Sequence, residues 1–145
     1  MASNPPPDCF THEFRVRYAE IDPQSVVFNS RYLEYADLII TEFWRELGLH
    51  FTGEGSLEFH VVRAEIDFVQ PIHADEFVQG CASTTRIGTS SVETCIWLHG
   101  AGGNDDLRAK IILVHVHVDL ESGRSMPIPE KARRALQSAQ KETDG

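Results

Sequence analysis

Between residues 31 and 48 the chain runs without a proline, and Tyr32, Leu33, Ala36, Ile39, Ile40, Phe43, Trp44 and Leu47 fall to one side at 100° per residue. This is the one substantial amphipathic helix that the sequence predicts before its C-terminus, and Gly48 supplies its stop. Each step between parallel strands needs a crossover, usually a helix, so one helix cannot serve a parallel α/β sheet. The segments around it are β-forming. Phe10, His12, Phe14, Val16 and Tyr18 alternate on one side of a first strand, and Val62, Ala64, Ile66 and Phe68 alternate up to Pro71. Residues 77–85 are small and β-branched, 91–99 alternate again, and 108–120 form the longest β-branched run after the loop GAGGNDD at 100–106. A terminal amphipathic helix is predicted over 130–140. The expectation is an α+β domain, an antiparallel five-stranded sheet wrapped around one long central helix. The helix side bearing Glu34, Asp37, Thr41, Glu42, Arg45 and Glu46 also carries Tyr35 and Leu38, which predicts that something, a second subunit for instance, covers it.

A chain of 145 residues suits one domain, and 41% apolar with 24% charged residues describes a globular protein rather than a disordered one. Its net charge of −9 argues against a partner held through phosphate backbones, so nucleic acid is excluded as a first reading. The apolar runs are far shorter than the ~20 residues that cross a bilayer. The segment 1–11, with Pro5, Pro6 and Pro7, is expected to be a flexible, solvated arm; the domain is expected over 12–140, with a flexible tail at 141–145. The first ten residues lack the basic and then apolar order of a secretory signal, and Cys9, Cys81 and Cys95 are odd in number with no CxxC spacing. A cytoplasmic protein with structural thiols is the expectation.

Asp22 precedes Pro23 in the connection EIDPQSVVFNS at 20–30, which delivers the chain to the start of the helix through Asn29 and Ser30, good turn and N-cap residues. Two readings compete: an Asx-turn ahead of proline, or a carboxylate that attacks a carbonyl or activates water beside the unpaired N–H groups of a helix start. Spacing leaves both open.

The segment YAEIDPQSVVFNSRYLEYADLIITEFWRELGL at 18–49 resembles the signature of the 4-hydroxybenzoyl-CoA thioesterase family: Asp, a short gap, Val-Val-Phe, then a Tyr-Leu helix. FHVVRAEIDFVQPIHADE at 59–76 and RIGTSS at 86–91 are similar to the family's second strand and strand-connecting turn, so the likeness covers about residues 12–130. The resemblance implies the hotdog fold. It also implies that Asp22 is the catalytic carboxylate, and that the backbone N–H of Asn29 polarises the thioester carbonyl. Ser25 stands where the family usually has Gly, Asn29 where many members have His or Tyr, and Ile40 replaces a common Arg whose partner would be the acidic Asp37. The first departure touches the loop, because Gly adopts φ > 0 cheaply and Ser does not. Other hotdog lineages carry their carboxylate on the central helix, which makes Glu34 and Asp37 the runners-up to Asp22.

Thr89, Ser90 and Ser91 are candidates for holding the coenzyme A arm or its phosphates, with a plain turn as the alternative. A negative protein that binds coenzyme A needs a local basic patch, for which Arg86, Lys131, Arg133 and Arg134 are candidates. His115, His117 and Asp119 share one strand face at i, i+2 and i+4, but strand rise separates neighbours by ~6.6 Å, so a polar sheet face or subunit interface is preferred to a metal site. The expectation is therefore a cofactor-free acyl-CoA thioesterase acting on an aromatic or short to medium acyl group. It is expected to be a homo-oligomer, a dimer or a tetramer of dimers, with the site between subunits. The alternative is a hotdog protein that binds acyl-CoA or a carrier-bound acyl group without hydrolysing it. A hydratase of the same fold would need a His and carboxylate pair in another loop, and none is visible.

Overall fold

A computed structural model describes residues 4–140. Its elements are β1 (Phe10–Arg15), α1 (Arg31–Glu46), β2 (Phe59–Phe68), β3 (Phe77–Ile87), β4 (Ser91–His99), β5 (Leu107–His117) and α2 (Glu130–Ser138). The strands form one antiparallel sheet in the order β1-β3-β4-β5-β2, the hotdog arrangement that the resemblance implies. At 16 residues, about 24 Å, α1 is of ordinary rather than unusual length.

The inner face of the sheet holds α1. Phe10 and Phe14 of β1, Val78 and Ala82 of β3, Val92, Ile96 and Leu98 of β4, and Ala109, Ile111 and Leu113 of β5 pack with the buried helix residues Tyr32, Tyr35, Ala36, Ile39, Ile40, Phe43 and Trp44. Helix and sheet meet most closely at Gly80, where an added Cβ would collide with the Ile39 side chain. The core therefore depends on a missing side chain as much as on the apolar ones. Ile40 is itself a core residue at 3% exposure, which explains why no Arg stands there.

Three expectations need correction. The strand expected to carry Tyr18 on its apolar side ends at Arg15, and Tyr18 opens a short 3-10 turn with 90% of its surface exposed. The N-terminal segment is not wholly a solvated arm: β1 already begins at Phe10, Pro5 and Pro6 are buried, and Cys9 packs against Cys81, Cys95 and Trp97 on the outer face. His115 and His117 do not form a polar sheet face. They point to the inner side, where His115 meets Trp44 edge-on at 4.9 Å and His117 lies 5.3 Å from the Phe59 ring. Asp119 instead organises the following turn by accepting from the Glu121 N–H and the Ser122 hydroxyl. The tail at 141–145 lies outside the described residues.

The edge strand β2 contrasts with the rest, including β1 at the opposite edge. Eight of its ten residues are exposed, on both faces, including Val61, Val62 and Phe68. Edge strands that are long and apolar invite a further strand. No helix among the described residues is long and apolar enough to cross a membrane.

Candidate active site

The loop between the first 3-10 turn and α1 is built on a buried carboxylate, Glu20. It accepts hydrogen bonds from the Arg17 N–H at 2.7 Å, from Arg17 Nε at 3.0 Å and from the Tyr35 hydroxyl at 2.9 Å. Burial works to raise the pKa of Glu20, but these bonds outweigh it and hold the carboxyl below its ordinary value. Its backbone carbonyl accepts from the Phe28 N–H, closing the loop onto its own start. The far side of the loop is bonded to the segment before β3: Val27 N–H donates to Ile72 and Ala74 N–H to Ser25.

That supporting segment is fixed in turn by Arg108, which donates to the Pro71 carbonyl at 2.9 Å, to Glu76 at 2.9 and 3.0 Å and to Asp106 at 2.9 Å. Glu76 also accepts from the His73 N–H, and the Arg108 guanidinium beside it takes its carboxyl down to about 2. Sequence reasoning passed over Glu20 and Arg108. The available signal was a charged residue at the edge of an apolar run, which is too common to single out.

Within this frame Asp22 makes the Asx-turn: Oδ1 accepts from the Gln24 N–H at 2.8 Å, and the Ser25 N–H donates to the Asp22 carbonyl at 2.9 Å. Oδ2 has no hydrogen bond among the described residues. Turn and reactive carboxylate are thus compatible. Ser25 sits at φ 63°, in the left-handed region that glycine adopts at least cost. Ser30 is the N-cap of α1 but makes no side-chain cap bond, and neither Asn29 nor Ser30 N–H finds an acceptor among the described residues.

Asn29 lines a cavity of about 260 Å³ with Val27, Tyr32, Phe68, Val69, Gln70 and Pro71. The Tyr32 and Phe68 rings meet edge to face at 4.9 Å. Asp22 is not among the lining residues within this one chain. Of the runners-up, Glu34 is exposed and paired with Arg31 at 2.9 Å, and Asp37 is exposed with no partner among the described residues.

The residues expected to hold coenzyme A lie at the other end of the molecule. Tyr32, in the first turn of α1, packs on Phe68 at the end of β2, whereas Trp44, in its last, packs on Phe59 and His115, beside the β3–β4 hairpin. Thr89, Ser90 and Ser91 form that hairpin, so one chain does not bring them to Asp22 and Asn29. Their carbonyls are largely used: Thr89 O accepts from Ile128 N–H, and Ser90 O from His117 N–H. Arg133 is a strut, donating to the carbonyls of Gly88 at 2.8 Å and Thr89 at 2.9 Å, and Arg134 pairs with Glu130. Arg86 and Lys131 are exposed cations without an ion pair among the described residues.

Solved structures share this fold. A Pseudomonas aeruginosa protein is 26% identical, with 90% of this chain and 91% of that one covered at a TM-score of 0.82. A 1,4-dihydroxy-2-naphthoyl-CoA thioesterase from Synechocystis is 21% identical, over 88% of this chain and 95% of that one, at 0.79. A gentisyl-coenzyme A thioesterase is 22% identical, over 88% and 99%, also at 0.79. No curated protein matches the chain in sequence. The pattern of the thioesterase-like superfamily, however, matches residues 16–136, nearly the whole described domain, and the chain belongs to that superfamily.

Proposed function

We propose that this protein hydrolyses the thioester of an acyl-CoA, within the 4-hydroxybenzoyl-CoA branch that its loop resembles. The observation that carries this reading is Asn29: its N–H has no acceptor among the described residues, it stands just before the N-cap of α1, and it lines an apolar cavity with Tyr32 and Phe68. A carbonyl oxygen there gains negative charge as the carbon turns tetrahedral, and the N–H and helix dipole stabilise that charge. Asp22 serves as nucleophile on the carbonyl carbon, releasing the coenzyme A thiolate, or takes a proton from the attacking water. The cavity volume of about 260 Å³ suits an aromatic or a short to medium acyl group.

A second copy of the chain completes the site in this reading. The exposed β2 edge, where Val61, Val62 and Phe68 stand among charged residues, is the natural pairing surface, and a two-fold axis through it reverses the partner end for end. The partner's Thr89–Ser91 hairpin and Arg86 then approach this chain's Asn29, which one chain alone cannot arrange. The homodimer is thus the minimal unit, and a tetramer of dimers is its further assembly.

The test is free-thiol release from benzoyl-, hydroxybenzoyl-, phenylacetyl- and straight-chain acyl-CoA, comparing the protein with Asp22→Asn. Asn keeps an Oδ1 that accepts from Gln24, so the turn survives and only the charge is lost. Turnover falls at least ~100-fold with unchanged circular dichroism. Near-normal turnover would move the chemistry to Glu34 or Asp37. The non-hydrolytic reading draws support from Asp22 lying outside the cavity lining, and acyl-CoA binding without thiol release would establish it.

A further inference from the structure

The outer face of the sheet holds a group of sulfur and imidazole side chains that thioester chemistry does not use. Cys81 on β3 stands opposite Trp97 on β4, and Cys95 on β4 stands opposite Ser83 on β3. The β1–β3 register pairs Phe10 with Ala82 and Thr11 with Cys81, so Cys9 enters the sheet two residues from the position opposite Cys81. Cys9 packs on this cluster of Cys81, Cys95 and Trp97. Behind them, Nδ1 of the fully buried His99 lies 3.9 Å from Cys81 Sγ, and its Nε2 has no partner.

We propose that Cys9 and Cys81 are a peroxide-sensitive dithiol whose oxidation to a disulfide staples the N-terminal segment to the outer face of the sheet, with Cys95 left reduced. Access separates the three thiols. Cys9 is half-buried and lines an open cavity of about 400 Å³ with Asp8, Thr11 and Glu46, whereas Cys81 and Cys95 are buried. The hydrogen bond from Cys81 holds the Cys9 thiol below its ordinary value, outweighing burial, while the same contact and burial push Cys81 up. Burial takes Cys95 up to about 12. The most accessible of the three thiols is thus also the one held below its ordinary value.

The chemistry closes with hydrogen peroxide as the oxidant. The Cys9 thiolate attacks one peroxide oxygen, the O–O bond breaks, and the departing hydroxide takes up a proton to leave as water, giving a sulfenic acid. Cys81 Sγ then attacks Cys9 Sγ; the S–O bond breaks and a second water leaves. The Cys81 proton leaves with the departing oxygen as part of that water. Two thiols and one peroxide become a disulfide and two waters. Cys9 precedes the first ladder residue of β1, where its N–H bonds to the Pro6 carbonyl within a turn instead of to β3, so reaching the Cα separation of a disulfide breaks no sheet hydrogen bond. Cys81 and Cys95 are both fixed within strands and lack that freedom.

The test is a thiol count and a non-reducing peptide map of the full chain after hydrogen peroxide treatment and blocking with N-ethylmaleimide. The expected result is loss of two of the three thiols, a Cys9–Cys81 cross-link within one chain, and full reversal by dithiothreitol. Cys95→Ser leaves the cross-link in place. Cys81→Ser stops the reaction at a Cys9 sulfenic acid that dimedone captures, a product that identifies Cys9 as the attacking thiol. A Cys81–Cys95 linkage, a linkage between chains, or three surviving thiols in the unmodified sequence would overturn the proposal.

Discussion

At its C-terminal end α1 is finished by its own chain: Gly48, at φ 81°, donates to the Arg45 carbonyl and Leu49 to that of Trp44, the paired bonds of a Schellman motif. At its N-terminal end the corresponding N–H groups of Asn29 and Ser30 meet no acceptor among the described residues, and the N-cap serine makes no cap bond. The closed end holds Trp44 between Phe51, Phe59 and His115, and its cap residues Leu47, Gly48 and Leu49 line a cavity of about 410 Å³. The open end faces a cavity and sits on a loop strained at Ser25. Arg31 and Tyr32 N–H do donate to Phe28 and Asn29, so what distinguishes the open end is the unpaired N–H groups of the two residues that precede the helix.

The contrast can be broken most severely at the closed end by acid. Burial takes His115 down to about 4, so between the ordinary histidine value and that figure the unfolded chain binds a proton that the folded chain refuses. Stability is therefore full above pH ~6.5 and falls as pH drops, by about 2–3 kcal/mol at pH ~4.5, which urea midpoints at pH 7 and 4.5 would measure. His99, also lowered by burial, acts in the same direction, whereas Glu76, at about 2, loses its contribution only at lower pH still. His115→Leu should remove most of this slope; an unchanged slope would mean that the ring protonates without disturbing Trp44.

A smaller perturbation of the same end is Gly48→Ala. An added Cβ meets nothing within 4 Å, so the cost is the left-handed backbone alone, about 1 kcal/mol in a thermal or urea melt. The smallest expected effect sharpens the comparison at the open end. Ser30→Ala should change stability by less than ~0.5 kcal/mol, where a working N-cap is worth ~1. A loss of a full kcal/mol would show that Ser30 does cap the helix.

The hydropathy pattern made the helix and its stop legible, because a 3.6-residue period and a following glycine are local properties. It also placed β4 and β5 and the loop that carries Asp22. It erred at Tyr18, where alternation continued past the point at which the chain turns away, and at His115 and His117, whose polarity suggested solvent. The strand face they occupy is set by their pairing with Val61 and Phe59 and by the position of Trp44, none of which is local. Arg86 and Thr89–Ser91 could be picked out as polar turn residues, but nothing in their spacing says which end of the helix they adjoin.

What the amino-acid sequence determined by itself is the set of elements and the antiparallel sheet, since apolar period, turn residues and the lack of crossover helices act within short spans of chain. What only the tertiary structure decided is which groups meet: the Glu20 and Arg108 anchors beneath the loop, the exposed edge of β2 and the packing of Cys9 on the Cys81, Cys95 and Trp97 cluster. Those depend on strand register and on how the helix crosses the sheet, where residues far apart in sequence settle one another's surroundings.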